Sequence, residues 1–136
     1  MIEESYVSFD TSRMLKEAGF DLSCRGVYVT DRTGYYEFRE YDNKQTTDDL
    51  CWNTEDGFQY EYLAPTQALA ARWLREAHHY AVCVWYSAEH EKWFYAHGNL
   101  DNMMFDEEYS ISEFIYRTYE EALEEGLKHC LELIKK

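Results

Sequence analysis

The spacing of the hydrophobic residues changes several times along the 136 residues of this chain. Short runs in which apolar and polar residues alternate indicate strands with one buried face. Such runs occupy residues 27–30, 36–39, 58–62 and 92–97. Longer runs at 66–77 and 118–134 have apolar residues at helical spacing. A chain that mixes both periods within this length predicts an α+β fold.

The first part of the chain predicts a capped helix followed by a hairpin. Ser8 can cap the helix, and Gly19 fits the left-handed position beyond its end. Phe20 then falls where a Schellman motif places an apolar contact with Leu15. The turn-like sequence DRTG, residues 31–34, predicts the connection between two strands.

The central part predicts a helix followed by two antiparallel strands. Pro65 ends the preceding strand, and Thr66 can cap the helix that runs to Ala77. The next run, AVCVWY at 81–86, is apolar on both strand faces, which predicts a central strand of the sheet. Residues 92–97 are its predicted hairpin partner.

The last helix has the clearest signal. Thr118 and Glu121 have the spacing of a capping box. Gly126 lies on the apolar face, where glycine costs about 1 kcal/mol relative to alanine, so we expect close approach to a neighbouring element. The acidic segments 42–57 and 98–110 predict surface loops, and 111–117 predicts a further strand.

Together these patterns predict one α+β domain over residues 1–136. We expect an antiparallel sheet of about four to six strands, packed against two or three helices that form a single layer on one face. Length is only a soft guide to the number of domains.

The net charge of −14 argues against two classes of partner. A field of this sign repels phosphate backbones and anionic membrane surfaces. No apolar run reaches the roughly 18 residues that span a bilayer, and the acidic start MIEESYVSFD lacks the apolar region of a signal peptide. The four cysteines form no C-x-x-C pair, so we expect reduced thiols and a cytoplasmic location.

Three stretches resemble one family of proteins. They are YVSFDTSRMLKEAGFD at 6–21, APTQALAARWLREAHHY at 64–80 and TYEEALEEGLKHCLELI at 118–134. In this order they are similar to small hypothetical proteins encoded by phages, prophages and mobile elements of gut bacteria. The resemblance implies an accessory protein of phage-like origin and transfers no site residues. The segment 25–62 does not take part in it.

The histidines are the first candidates for metal-binding or catalytic residues. His78 and His79 are adjacent, so on a continuing helix their side chains point about 100° apart and cannot bind one ion. We interpret them as the polar end of a packed helix. His90 is interpreted as a turn residue, His97 as an outward strand residue, and His129 as a solvated helix residue.

The cysteines and carboxylates give no stronger site. Cys83 and Cys130 are predicted to be buried, whereas Cys24 and Cys51 are predicted to be more exposed. The acidic run at 42–56 lacks EF-hand spacing, and no Walker loop, G-x-S-x-G or HExxH motif occurs. We therefore predict no catalytic residues, no cofactor and no metal ligands.

Aromatic residues make up 18% of the chain, more than we expect one small core to bury. Some should reach the surface, where a tyrosine-rich sheet face could bind a partner or a second copy. The alternative is a thick aromatic core under the helices. The candidates for partner binding are Tyr35, Trp52, Tyr60, Trp93 and Tyr95.

The leading hypothesis is therefore a non-enzymatic, acidic interaction protein of phage or mobile-element type, which binds another protein. A narrower version mimics nucleic-acid charge and occupies a basic DNA-binding surface. A second hypothesis is a small metal-dependent enzyme that uses histidines and carboxylates. A third is a structural homodimer joined through an aromatic face.

Overall fold

The structure is a computed structural model that describes residues 5–31, 33–50, 60–102 and 110–135. Contacts between residues divide the chain into two compact units, Met1–Thr66 and Gln67–Lys136. Each unit contains helix and antiparallel sheet, which confirms the α+β class. The expectation of one domain over residues 1–136 stays a prediction.

The first unit contains one helix and a three-stranded antiparallel sheet. Its elements are α1 (Phe9–Glu17), β1 (Cys24–Thr30), β2 (Tyr36–Gln45) and β3 (Tyr60–Ala64). A short 3-10 turn at Thr47–Asp49 follows β2. The strand order is β2-β1-β3, so β1 is central and pairs with one strand on each side.

Helix α1 has the ends that the sequence predicts. The Ser8 hydroxyl accepts a hydrogen bond from the Thr11 amide at 3.2 Å, which caps the first turn. Gly19 has a φ of 93°, and the Phe20 amide donates to the Leu15 carbonyl at 2.9 Å. This is the predicted left-handed exit, which satisfies a carbonyl at the helix end.

The register of the first sheet gathers aromatic side chains on one face. Tyr28 lies opposite Phe38 in β2 and Tyr62 in β3. Because side chains alternate along a strand, these rings share a face, and the residues of β1 on either side of Tyr28 point the other way. Val27 is fully buried and Val29 is 5% exposed.

The second unit contains two helices and another three-stranded antiparallel sheet. Its elements are α2 (Gln67–Trp73), a π-helical turn (Leu74–His78), β4 (Tyr80–Ser87), β5 (Lys92–Asn99), β6 (Ser110–Ile111) and α3 (Tyr119–Lys135). The strand order is β4-β5-β6. The described strands therefore form two sheets, whereas the sequence predicted one.

The prediction that the apolar run 81–86 forms a central strand is wrong. It lies in β4 at the edge of the second sheet, and β5 is central. Val82 faces α3, whereas Cys83 is exposed and Trp85 is 49% exposed. An apolar strand can thus be an edge strand when only one of its faces is covered.

One loop prediction and one strand prediction also need correction. Strand β2 continues to Gln45, so the segment 42–57 begins within the sheet. Strand β6 ends at Ile111, and the predicted strand 111–117 is otherwise reduced to an isolated bridge between Trp93 and Tyr116. Both differences lie at element ends, where polar residues leave the sequence pattern weakest.

Helix α3 packs on β4 and β5 through one apolar face. The Thr118 hydroxyl accepts a hydrogen bond from the Glu121 amide at 3.0 Å, so the predicted N-terminal cap is present. Leu127 and Cys130 are fully buried, and Leu131 is 2% exposed. Each buried leucine stabilises the packing by about 1.5–3 kcal/mol.

Gly126 makes the close approach that the sequence predicts. A Cβ atom at this position would lie 2.5 Å from Cγ1 of Val82 and 3.2 Å from the ring of Tyr95. Glycine therefore lets the backbone of α3 approach β4 and β5 more closely than any other residue would allow. No helix in the described part of the chain is long and apolar enough to cross a membrane.

We predict that Gly126→Ala destabilises the second unit. Alanine gains about 1 kcal/mol of helix propensity, but its methyl group would overlap Val82, and overpacking costs about 1–3 kcal/mol. Urea unfolding should show a net loss of stability. The control is Glu132→Ala, which changes an exposed residue of the same helix. A more stable Gly126→Ala variant would contradict the close packing.

Candidate functional site

Four aromatic side chains at one end of the first sheet are exposed, and we refer to them as the aromatic patch. They are Tyr35, Tyr36, Phe38 and Tyr60, with exposed fractions of 68%, 49%, 39% and 36%. Single exposed aromatic residues are common on protein surfaces, whereas several exposed at one end of a sheet are a candidate interaction surface.

Strand register places three of these side chains on one face of the sheet. Tyr35 lies instead beside Val29, Glu37 and Arg39, which belong to the other face. Thr30 at the end of β1 lies opposite Tyr36 in β2 and also opposite Tyr60 in β3. Both tyrosines are therefore on the same sheet face, with the small Thr30 between them. Phe38 is two residues along β2 from Tyr36 and shares its face.

The turn that carries Tyr35 is held by Asp31. One carboxylate oxygen of Asp31 accepts from the Thr33 amide at 2.8 Å, the Thr33 hydroxyl at 2.6 Å and the Tyr35 amide at 3.2 Å. The Thr33 hydroxyl is also the main reason that the pKa of Asp31 lies below its ordinary value. Gly34 supplies the left-handed backbone, with a φ of 93°.

Aromatic side chains from the N-terminal segment support the patch. The ring of Phe9 stacks on Tyr36 with centroids 4.3 Å apart and an angle of 12° between the planes. The ring of Tyr6 lies 4.8 Å from that of Phe38, and its hydroxyl donates to the Glu40 carboxylate. That hydrogen bond, more than burial, raises the pKa of Tyr6 to about 12.

Two cationic side chains of α1 lie over aromatic rings close to the patch. The Arg13 guanidinium carbon is 5.3 Å from the centroid of Phe9, and the Lys16 ammonium is 5.3 Å from that of Tyr62. Partial burial lowers the pKa of Lys16. Both distances are within the range of cation–π attraction.

The five residues predicted to bind a partner differ in location and exposure. Tyr35 and Tyr60 belong to the aromatic patch. Trp93 is half-buried in the second unit, between the rings of its neighbours Tyr86 and Tyr119. Tyr95 is 7% exposed, so it is not a surface aromatic residue, and Trp52 lies outside the described residues.

A cavity of about 350 Å³ lies elsewhere in the first unit. It is lined by Ser12, Lys16, Gly19, Phe20, Asp21, Thr47, Asp48, Leu50 and Leu63. The volume suits a small molecule. Its lining includes an ammonium group, two carboxylates and apolar side chains, so its chemistry does not select one class of ligand.

A histidine cluster in the second unit corrects two predictions. His97 is 6% exposed and not an outward residue, and its ring centroid lies 4.3 Å from that of His129. Nδ1 of His129 is 3.1 Å from the Tyr95 hydroxyl, so His129 is not merely solvated. His97 shares the face of β5 that carries Tyr95, and α3 packs on that face, which no short sequence pattern reports.

The environment of the cluster disfavours charge. Neither ring nitrogen of His97 has a hydrogen-bond partner among the described residues. Burial, followed by the nearby His129, lowers the pKa of His97. Burial, followed by the influence of Tyr116, raises the pKa of Tyr95 to about 12. His97 and Tyr95 are therefore neutral near pH 7.

The remaining histidines have the structural roles that the sequence predicted. His79 ends the helical segment with a φ of 58°, and its Nδ1 lies 2.9 Å from the Asp101 carboxylate. The ring of His78 packs edge-on against Trp73. His90 is in the turn after β4, where it stacks on Phe114.

Two cysteine predictions are reversed by the structure. Cys24 was expected near the surface but is 5% exposed, and burial raises the pKa of its thiol to about 11. Cys83 was expected in the core but is exposed at the sheet edge. Cys130 is fully buried as predicted, which raises its pKa to about 12, and Cys51 lies outside the described residues.

In the parts of the chain that the structure describes, no three residues of the types His, Cys, Asp and Glu are grouped so that they could hold a metal ion. No model of a protein family, no curated protein and no solved structure matches the chain. The resemblance to phage and mobile-element proteins therefore stays a prediction.

We predict that acid destabilises the second unit through His97. Its pKa is lower in the folded protein than the ordinary value of 6.5, so the unfolded chain binds the proton more readily. The contribution of neutral His97 is present above pH 6.5 and is lost as the pH falls below it. Urea unfolding between pH 8 and pH 5 should show a smaller decline for His97→Leu than for the wild type.

The control for this measurement is His90→Asn, which removes an exposed imidazole. Its pH profile should follow that of the wild type. If His97→Leu and the wild type lost stability in parallel from pH 8 to pH 5, His97 would not be the group responsible.

Proposed function

We propose that the protein is a non-enzymatic interaction protein whose aromatic patch binds a cationic, arginine-rich segment of another protein. The observation that carries this proposal is the exposure of three aromatic side chains on one face of the first sheet, with a fourth, Tyr35, at the adjoining turn. Interfaces are enriched in tyrosine and other aromatic residues, which contribute large contact areas with few rotatable bonds.

Charge supports a basic partner. The net charge of −14 attracts cationic surfaces and repels nucleic acids and acidic proteins. Aromatic faces attract cations at short range, so the two effects favour the same class of partner. Arginine suits the patch better than lysine because its planar guanidinium can stack on a ring.

The first unit contains internal examples of the proposed contact. Arg13 lies over Phe9, and Phe9 in turn stacks on Tyr36 of the patch. A partner arginine on the exposed side of Tyr36 would extend the same stack by one layer. The internal contacts are to Phe9 and Tyr62 and not to the patch itself, but Phe9 belongs to the same stack as Tyr36, so a cation–π contact is accessible to rings in this part of the unit.

The patch is also held in place before a partner arrives. Asp31 fixes the turn with three accepted hydrogen bonds, and Phe9 supports Tyr36 from within the unit. Side chains and loops that are already ordered lose less entropy on binding. The patch can therefore give useful affinity from a small area.

The wider proposal is an accessory protein of phage or mobile-element type that acts in the cytoplasm. The sequence resemblance supports the origin. The described cysteines Cys24, Cys83 and Cys130 are free thiols, which is compatible with a reducing compartment.

We predict that a nine-residue arginine peptide binds the full chain more tightly than a nine-residue lysine peptide does. Tyr35→Ser and Tyr36→Ser should each lower the affinity for the arginine peptide by about two- to fivefold, which corresponds to one exposed cation–π contact. Fluorescence anisotropy with labelled peptides at two salt concentrations measures both effects. These substitutions leave the net charge unchanged, so general attraction by the acidic surface remains.

The matched control is Tyr119→Ser, which removes a 44% exposed tyrosine of the second unit and should leave peptide affinity unchanged. Equal affinities for the arginine and lysine peptides, together with no effect of Tyr35→Ser or Tyr36→Ser, would reject the patch as the binding site. Binding would then be ordinary charge attraction.

A further inference from the structure

Among the described strands, β4 lies at the edge of the second sheet. It pairs with β5 along all eight residues from Tyr80 to Ser87, without a register shift. No described residue pairs with its other side. Alternate backbone N–H and C=O groups on that side are available to another strand.

This edge lacks the features by which proteins prevent edge-to-edge pairing. The strand sequence YAVCVWYS contains no charged residue, proline or glycine, although the chain as a whole is strongly acidic. Three of its side chains are exposed, namely Cys83, Trp85 at 49% and Tyr86 at 51%. Lysine, proline, bulges or very short strands protect most natural edges.

We propose that β4 pairs with β4 of a second copy of this chain in antiparallel orientation, which joins two second-unit sheets across a two-fold axis. Antiparallel pairing of identical edges satisfies the free backbone groups of both copies at once. The eight uncharged residues allow two copies of an acidic protein to approach along this line.

Charges at the two ends of β4 complement this orientation. Exposed Arg72, Arg75, Glu76 and His79 precede the strand, and exposed Glu89 and Glu91 follow it. Glu76 forms an ion pair with Arg72, so these two charges offset each other. In an antiparallel pair, the basic end of each strand faces the acidic end of its partner. Asp101 already contacts His79, so Arg75 is the main cation at this end.

Strand geometry limits the register to a few alternatives. Outward backbone groups belong to every second residue, so a symmetric antiparallel pair places one residue opposite its own copy. Near the middle of the strand, the residue opposite its own copy is either Cys83 or Val84. The register centred on Cys83 places the large Trp85 opposite the small Ala81 of the second copy. This register pairs Tyr80–Tyr86 with the same segment of the second copy.

The Cys83-centred register makes a chemical prediction. Residues directly opposite in an antiparallel pair have Cα atoms about 4.5–5.5 Å apart, within the range that a disulfide spans. Two Cys83 thiols would therefore lie close enough for oxidation to join them. Cys24 and Cys130 are buried and cannot form this link.

The test compares two substitutions at Cys83 by sedimentation velocity over a dilution series. Wild type and Cys83→Ser should both show a reversible dimer, because serine keeps the edge uncharged. Cys83→Lys should raise the dissociation constant at least about tenfold, since two ammonium groups would lie opposite each other. Circular dichroism shows whether each variant is folded, and Asn43→Lys controls for an added lysine at an exposed site outside β4 and outside the aromatic patch.

The second arm uses mild oxidation with diamide in a Cys51→Ser background. Retained Cys83 should give a disulfide-linked dimer, and the further change Cys83→Ser should abolish it. Monomers at every concentration, or a dimer that resists Cys83→Lys, would overturn the proposal. The result is independent of the aromatic patch, because peptide binding by the first unit requires no residue of β4.

Discussion

A shortage of helical cover is the constraint on which the rest of this structure depends. Helix α1 has nine residues and is therefore about 13 Å long, whereas the ten residues of β2 extend about 33 Å. Within the first unit, one short helix cannot cover the whole sheet. Aromatic rings at the end of β2 stay exposed for this reason, and they support one another by stacking.

The second unit shows the same constraint with a different outcome. The 17 residues of α3 cover the inner face of β4 and β5, and Gly126 lets the helix lie close to both strands. That tight contact buries Tyr95 and His97 together with the apolar residues. The imidazole of His97 has no hydrogen-bond partner among the described residues. Its burial, followed by the nearby His129, disfavours protonation and lowers its pKa.

The sequence predicted local features well because their causes are local. The caps of α1 and α3, the exit at Gly19 and the role of Gly126 follow from single side chains and nearby backbone. Strand position was harder to predict, because an apolar strand such as 81–86 has the same sequence pattern at the centre and at a covered edge. The burial of His97 and Cys24 depends on elements far away in the chain, which no short pattern reports.

The candidate site could be predicted from the sequence only in part. An excess of tyrosine indicated that some rings must be exposed, and Tyr35 and Tyr60 were correctly placed among them. Tyr36 and Phe38 were missed as site residues because alternation in β2 suggested an ordinary buried face. Their exposure depends on β2 being an edge strand that α1 leaves partly uncovered.

The most direct test of this account is hydroxyl-radical footprinting of the dilute protein, with modification quantified at each aromatic residue by mass spectrometry. Limited helical cover predicts rapid modification of Tyr35 and Tyr36 and strong protection of Trp73 and Tyr95, which are 5% and 7% exposed. Protection of Tyr35 and Tyr36 equal to that of Tyr95 would contradict the account, because the first sheet would then be fully covered.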